Sequence, residues 1–366
     1  MTLSANRLGC AAILLFSLPC GAQEAAPQSG RLLFLGVAYD EAPPKGQTVD
    51  HYNYAPDNFS TMFRTQSKEL FREIVITTLK GDRATRAAVL RSLRSLSQEA
   101  QPQDLVFLYW GTHGATEDGD WGANLPGGDG ISGSELKAEL AKLSCPAVVA
   151  ISTCGSGGFI RPDRKTVDLP SNVTAFAACR PQQTTNNELD ITLLEALAGF
   201  GDADGSGDVS IQEVRNYVPR RYRMLSPEDD LETLPVLGQG DGDVFQGSLT
   251  RVTGQHVAAL HDGAWHGATI LNRKNGALTV RYLGWDPVSR NAAFFLPDEL
   301  VPLDRVDLAG GEPPVEVEWN GTWYPALILG RTSQGRFRIH YIGYPESDDE
   351  TVPAKRIRYP FGSPSP

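Results

Sequence analysis

Between Arg31 and Phe200, short continuous apolar runs alternate with segments of helical period, and this alternation restricts the fold more than any other feature of the chain. Leu32–Ala38, Ile74–Leu79, Leu105–Trp110 and Ala147–Ile151 are too short for buried helices. Leu32–Ala38 is also too uniformly apolar for a strand with one wet face. Runs of this kind belong to parallel strands covered on both sides. A further strand is expected over 173–178. Asp57–Leu70, Thr85–Leu96, Ser134–Leu143 and Leu189–Phe200 read as helices, with Val89, Leu93 and Leu96 at helical spacing in the second. The expectation is an α/β fold over residues 31–225: a mostly parallel sheet with helices on both faces.

Open sheets of this kind carry their reactive groups just past the carboxyl ends of the strands. His113 follows the third apolar run by three residues, and Cys154 follows the fourth by three. Strands adjacent in sequence are often adjacent in space, so both side chains are expected at one sheet edge. Only His51 and His113 precede Gln255, and His51 lies in the polar stretch Asp50–Asn53. Cys10 and Cys20 fall in an N-terminal segment described below, which leaves Cys145, Cys154 and Cys179. Three cysteines leave at least one thiol unpaired within the chain. Cys145 and Cys179 read as small buried hydrophobes or as partners of each other.

The sequence Leu105–Trp110 followed by Gly111-Thr112-His113-Gly114, then Ala147–Ile151 followed by Ser152-Thr153-Cys154-Gly155-Ser156-Gly157, resembles the caspase, metacaspase and legumain superfamily of cysteine peptidases. The resemblance implies a caspase-like domain acting on protein or peptide substrates, with Cys154 as nucleophile and His113 as its acid–base partner. It implies an oxyanion hole from the backbone N–H groups of Gly114 and Cys154. It also implies that Ser152, two residues before the nucleophile, lines the pocket for the substrate side chain. Metacaspases carry Asp at that position, so the acidic floor that would select Arg or Lys is missing there. Asp40, or Glu117, Asp118 and Asp120, can replace it. Two functions stay open: a cysteine endopeptidase, or an inactive caspase-like scaffold acting as a secreted binding protein.

Residues 202–213, Asp-Ala-Asp-Gly-Ser-Gly-Asp-Val-Ser-Ile-Gln-Glu, match the twelve-residue calcium loop of an EF-hand. Asp202, Asp204, Ser206 and Ser210 supply oxygens at positions 1, 3, 5 and 9. Gly207 stands at position 6, Asp208 at 7 and a bidentate Glu213 at 12. A metal-free polar turn between helices is the competing reading.

After residues 226–250, rich in Asp, Gly and Pro and expected to be a linker, two similar segments follow over 251–305 and 311–360. Trp265 and Trp323 occupy equivalent positions in them, as do Tyr282 and Tyr341, and Trp285 and Tyr344. Each segment has short alternating strands and turn residues, as small SH3-like β-barrels do. The pattern resembles Tudor, agenet and chromo-like barrels. That resemblance implies a peptide or cationic ligand, with Trp265, Tyr282 and Trp285, and Trp323, Tyr341 and Tyr344, as cage residues. A plain barrel core is the alternative reading of these aromatics.

Residues 1–22 carry Arg7, the apolar run Leu8–Leu18 and small residues at Gly21 and Ala22, the pattern of a cleaved signal peptide. Export to a secreted or periplasmic location is expected, and no membrane span. The formal net charge of -11 argues against nucleic acid as the main partner, because no basic stripe is present to replace phosphate counterions.

Overall fold

The computed structural model describes residues 28–40, 54–162, 166–185, 188–225, 235–261, 264–274, 277–284, 293–295, 300–302, 308, 315–332, 336–341, 344 and 346–358. The expected signal peptide, His51 and Trp285 lie outside the described residues.

The first half alternates strand and helix. β1 (Gln28–Tyr39) leads to α1 (Ala55–Gln66), β2 (Phe71–Lys80), α2 (Arg86–Glu99) and β3 (Leu105–Thr112). Three short strands follow: β4 (Gly114–Glu117), β5 (Asp120–Asn124) and β6 (Gly130–Ser132). Then come α3 (Gly133–Leu140), β7 (Ala147–Ser152), α4 (Gly157–Ile160), β8 (Val173–Ala177) and α5 (Glu188–Glu195). Helix α5 runs into a π-turn at Ala196–Phe200, so the helix expected over 189–200 changes pitch within its length. β9 (Asp208–Ser210) and α6 (Ile211–Leu225) close this half.

The central sheet has six strands. β2, β1, β3, β7 and β8 are parallel in that order, and β10 (Val236–Gln239) adds an antiparallel edge beside β8. The stretch expected to be a linker thus supplies a sheet strand. β8 would otherwise present a row of unpaired backbone groups, and β10 covers them. The continuous apolar runs are explained by the two cores. Along β3, Leu105, Phe107 and Tyr109 face one cluster with α1, α5 and α6. Val106, Leu108 and Trp110 face the other with α2, α3 and α4. Period-two alternation with both faces buried leaves no polar position.

β11 (Ser248–Arg251) pairs with β9 in a separate two-stranded sheet. β12 (His256–His261), β13 (Ala264–Lys274), β14 (Ala277–Tyr282), β15 (Ala293–Phe295) and β16 (Leu300–Pro302) form an antiparallel five-stranded sheet. β17 (Val315–Trp319), β18 (Thr322–Arg331), β19 (Phe337–Tyr341), β20 (Glu350–Val352) and β21 (Ile357–Arg358) form another with the same strand order. Each has its own small apolar core.

The first of these sheets is fastened to the α/β half. The fully buried Glu195 of α5 accepts from Arg221 of α6 at 2.6 and 3.1 Å and from the Gly267 backbone N–H at 2.8 Å. Arg221 also donates to the Trp265 carbonyl at 2.6 Å. Trp265 and Leu283 pack into the same core as α1 and α5. Among the described residues, no helix is long and apolar enough to cross a membrane.

Candidate active site

Parallel register sets the site. Tyr39 of β1 pairs with Thr112 of β3, and Gly111 of β3 pairs with Ser152 of β7. Asp40 and His113 are therefore the first residues past the ends of adjacent strands. Cys154 is two residues past Ser152 on the next strand over. Neighbouring strands lie about 4.8 Å apart, so these three residues leave one sheet edge on adjacent strands.

Loop contacts tighten the arrangement. Thr116 Oγ1 donates to the Gly155 carbonyl at 2.6 Å. Gly155 has φ +65°, and a Cβ there would sit 2.6 Å from the Thr116 backbone nitrogen. A Cβ on Gly114 would meet Thr153 Oγ1 at 2.9 Å. The loop after His113 and the loop after Cys154 thus touch through backbone that only glycine allows. Trp121 Nε1 donates to Thr153 Oγ1 at 2.8 Å and stacks edge-on between Trp110 and Phe159. Beyond Cys154, Gly155 N–H donates to the Gln183 carbonyl at 2.8 Å, and Cys179 N–H donates to Ser156 Oγ at 3.2 Å.

His113 Nε2 lies 3.1 Å from Asp40 Oδ1, with the imidazole half exposed and Asp40 largely enclosed. Asp40, expected as a pocket residue, sits against the histidine. Its pairing with His113 was not foreseen, because sequence separation hides strand register. Cys154 is partly exposed, whereas Cys145 and Cys179 are buried; all three thiols are free, so the Cys145–Cys179 pairing is absent. Burial pushes the Cys145 thiol up to about 11 and raises that of Cys179 as well. Cys154 is the thiol that solvent reaches.

Ser152 is fully buried and presents no surface to a substrate side chain. It abuts a group that the sequence did not single out. Asp190 of α5 is fully buried, accepts from Tyr109 Oη at 3.0 Å, and faces Ser152 without full hydrogen-bond geometry. Burial raises the Asp190 carboxyl to about 7, against the Tyr109 hydrogen bond that lowers it. Asp190 thereby ties α5 to β3, the strand that carries His113. Beside His113, a cavity of about 530 Å³ is lined by Gly114, Glu117, Asp120, Trp121 and Glu135, among others. Asp120 also accepts from Ser134 N–H at the start of α3.

Asp202, Asp204 and Glu213 bring carboxylate oxygens within 4.8 Å of one another. Backbone N–H groups of the loop already point inward: Ser206 and Gly207 donate to Asp202, Ser206 to Asp204, and Ala203 and Ser210 to Glu213. Gly207 has φ +85°, the turn that position 6 of such a loop demands. Ser206 Oγ and Ser210 Oγ bond within the loop, and Asp208 pairs its carboxylate with Arg251 at 2.9 Å. The Asp208 side chain therefore stays outside the acidic cluster.

The aromatic groups differ from expectation. In the second C-terminal sheet a cavity of about 290 Å³ is lined by Trp319, Tyr324, Tyr341, Tyr344, Asp348 and Glu350. Tyr341 and Tyr344 were expected there, whereas Trp323 is not among the lining residues. Alternation along β18 puts Tyr324 on the face that Trp323 was expected to share. Trp319 precedes the turn at Asn320 and Gly321, whose positive φ values suit the Asn-Gly pair of a two-residue hairpin. In the first sheet, Trp265 is buried against α5 and α6, and Tyr282 is a core residue.

No protein-family model matches the chain, and no curated protein matches its sequence. Among solved structures it is similar to a structural-genomics protein from Geobacter sulfurreducens, at 17% identity and TM-score 0.40, over 61% of this chain and 100% of that one. It is also similar to the Drosophila initiator caspase Dronc, at 11% identity and TM-score 0.43, over 62% of this chain and 88% of that one. Both likenesses are distant and concern the fold alone. The class defined by the chain itself is a mixed α/β protein with a mostly parallel sheet, Asp40, His113 and Cys154 along one edge, and two antiparallel sheets after it.

Proposed function

We propose that the chain is an exported cysteine endopeptidase of caspase-like type, secreted or periplasmic, that cleaves protein or peptide substrates. The observation that carries this reading is the register of β1, β3 and β7, which aligns Asp40, His113 and Cys154 at one edge. The Cys154 thiolate attacks the scissile carbonyl carbon, and the carbon–oxygen π electrons move onto oxygen. Backbone N–H groups of Gly114 and Cys154 stabilise that oxyanion, each such donor being worth about 2.7–4 kcal/mol. His113 gives its proton to the departing amine as the C–N bond breaks, which leaves a thioester on Cys154. It then takes a proton from water, whose oxygen attacks the thioester; the C–S bond breaks, releasing the acid and restoring the Cys154 thiolate beside protonated His113. Asp40, 3.1 Å from Nε2, orients the imidazole for these transfers.

The loop over 202–213 holds calcium. The donor set is oxygen throughout, as a hard cation prefers, with Asp202, Asp204 and Glu213 as carboxylate ligands and Ser206, Ser210 and the Asp208 carbonyl completing it. The two C-terminal sheets act as small Tudor-like binding barrels. The second receives a cationic side chain among Trp319, Tyr324, Tyr341 and Tyr344, with Asp348 as counter-charge. The first is a fixed part of the peptidase body, because its Trp265 and Gly267 are tied to Glu195 and Arg221.

Treatment with a peptidyl acyloxymethyl ketone, followed by intact mass and peptide mapping, tests the peptidase reading. A single adduct on Cys154 that His113→Ala abolishes supports it. Equal labelling of wild type and His113→Ala marks an unactivated thiol on an inactive scaffold.

A further inference from the structure

A cavity of about 140 Å³ lies where α1 meets the first C-terminal sheet, and nothing in the peptidase chemistry uses it. Asn58, Thr61 and Thr65 reach it from one face of α1 at helical spacing. Thr269 of β13 and Arg281 of β14 face them. Among the described residues, no Asp or Glu lines the cavity. Arg281 Nε is enclosed, and no acceptor among the described residues reaches it. An enclosed guanidinium N–H without an acceptor is costly, so the site favours a guest that supplies one.

The guest's charge follows from the lining. Arg281 is the one Lys or Arg among the lining residues. His256 is buried with its ring nitrogens against Thr269 and Gln66, and burial lowers it to about 4, so it adds no charge at neutral pH. One guanidinium among neutral groups balances a single negative charge, and its fork matches the two oxygens of a carboxylate. Phosphate carries more charge than this lining neutralises. Met62 and Leu194, both buried, and Leu271 border the same space and suit a short hydrocarbon.

We propose that this cavity binds a small aliphatic carboxylate, either a free acid or the C-terminal residue of a peptide, with Arg281 holding the carboxylate and Thr61 at its rim.

Isothermal titration of the full chain with isobutyrate, N-acetylvaline and inorganic phosphate tests it. Three proteins are compared: wild type, Arg281→Gln and Thr61→Glu, with folding checked by circular dichroism. Thr61 is exposed, and a carboxylate placed there occupies Arg281 without disturbing the core. The expected result is saturable binding of isobutyrate, N-acetylvaline or both, weakened at least about tenfold in each variant, with phosphate weaker than either. Tighter N-acetylvaline identifies a peptide C-terminus as the source, and tighter isobutyrate a free acid. No saturable heat with either carboxylate, or equal affinity in Thr61→Glu, would overturn the assignment and leave the cavity to water. Phosphate binding more tightly than both carboxylates would overturn it too.

Discussion

His113 Nε2 meets Asp40 Oδ1 at 3.1 Å, and the two residues are the first past the ends of paired parallel strands. The contact is built by sheet register, not by a flexible loop, which makes Asp40 a positioning residue for the imidazole. Asp40→Asn is expected to lower kcat/KM by about 10²-fold, the scale of a general acid–base contribution, while KM stays near its wild-type value. Steady-state kinetics on one peptide checks both terms. A KM effect alone would place Asp40 in the substrate pocket.

Gly155 links the two loops through a left-handed backbone and a contact that a methyl group cannot share. Gly155→Ala is expected to cost about 1–2 kcal/mol from backbone conformation alone, before the clash with Thr116 is added. Urea denaturation measures the stability, and peptide hydrolysis should fall with it because the clash separates the loops of His113 and Cys154.

Asp190 sets a pH dependence whose sign can be worked out. Its folded value, about 7, lies above the ordinary carboxyl value. The folded protein therefore holds a proton there that the unfolded chain has released. Stability from this group is full below about pH 4, falls as pH rises towards about 7, and levels off above it. Asp190→Asn keeps an acceptor for Tyr109 and removes the titration. The variant is expected to gain on wild type by a few kcal/mol at pH 8, with the difference shrinking as pH falls. Chemical denaturation across that range decides it, and parallel curves for the two proteins would contradict it.

Glu195 and Arg221 are both buried and hold the first C-terminal sheet through Gly267 and Trp265. Arg221→Leu strands the Glu195 carboxylate and is expected to cost about 3–5 kcal/mol. The added change Glu195→Leu should recover part of that loss, because the uncompensated charge goes with it. A double-mutant denaturation cycle reads the coupling.

Calcium is expected to raise the thermal midpoint of the wild type and to leave Glu213→Gln unchanged. At a free concentration a hundredfold above Kd the stabilisation amounts to about 2.7 kcal/mol. A scanning calorimetry titration against chelator checks it, and equal behaviour of the two proteins would assign the loop to a metal-free turn.

Much of the sheet was readable because buried parallel strands leave no polar positions: Leu105–Trp110 and Ala147–Ile151 could be little else. The Val236–Gln239 strand was not. Four residues at a sheet edge within an Asp- and Gly-rich stretch carry too little periodicity to stand out, and β8 alone gives them their place. At the site, the order strand, His-Gly, strand, Cys was visible, whereas the partner of His113 depended on which strand lies beside β3. Asp190 was hidden for a similar reason: it sits on an apolar helix, and its burial follows from packing against Tyr109 and Ser152. In the second C-terminal sheet the aromatic composition was legible. Which tryptophan faces the cavity turned on strand alternation, and Trp319, not Trp323, lines it.

The most direct test of the central claim is hydrolysis of a fluorogenic peptide library by the purified protein with calcium present, run beside Cys154→Ala and His113→Ala. The account predicts cleavage by wild type and loss of it in both variants, whose folds remain intact by circular dichroism. Cleavage that persists in Cys154→Ala would contradict it, as would the absence of cleavage by wild-type protein whose Cys154 is shown to be reduced and accessible.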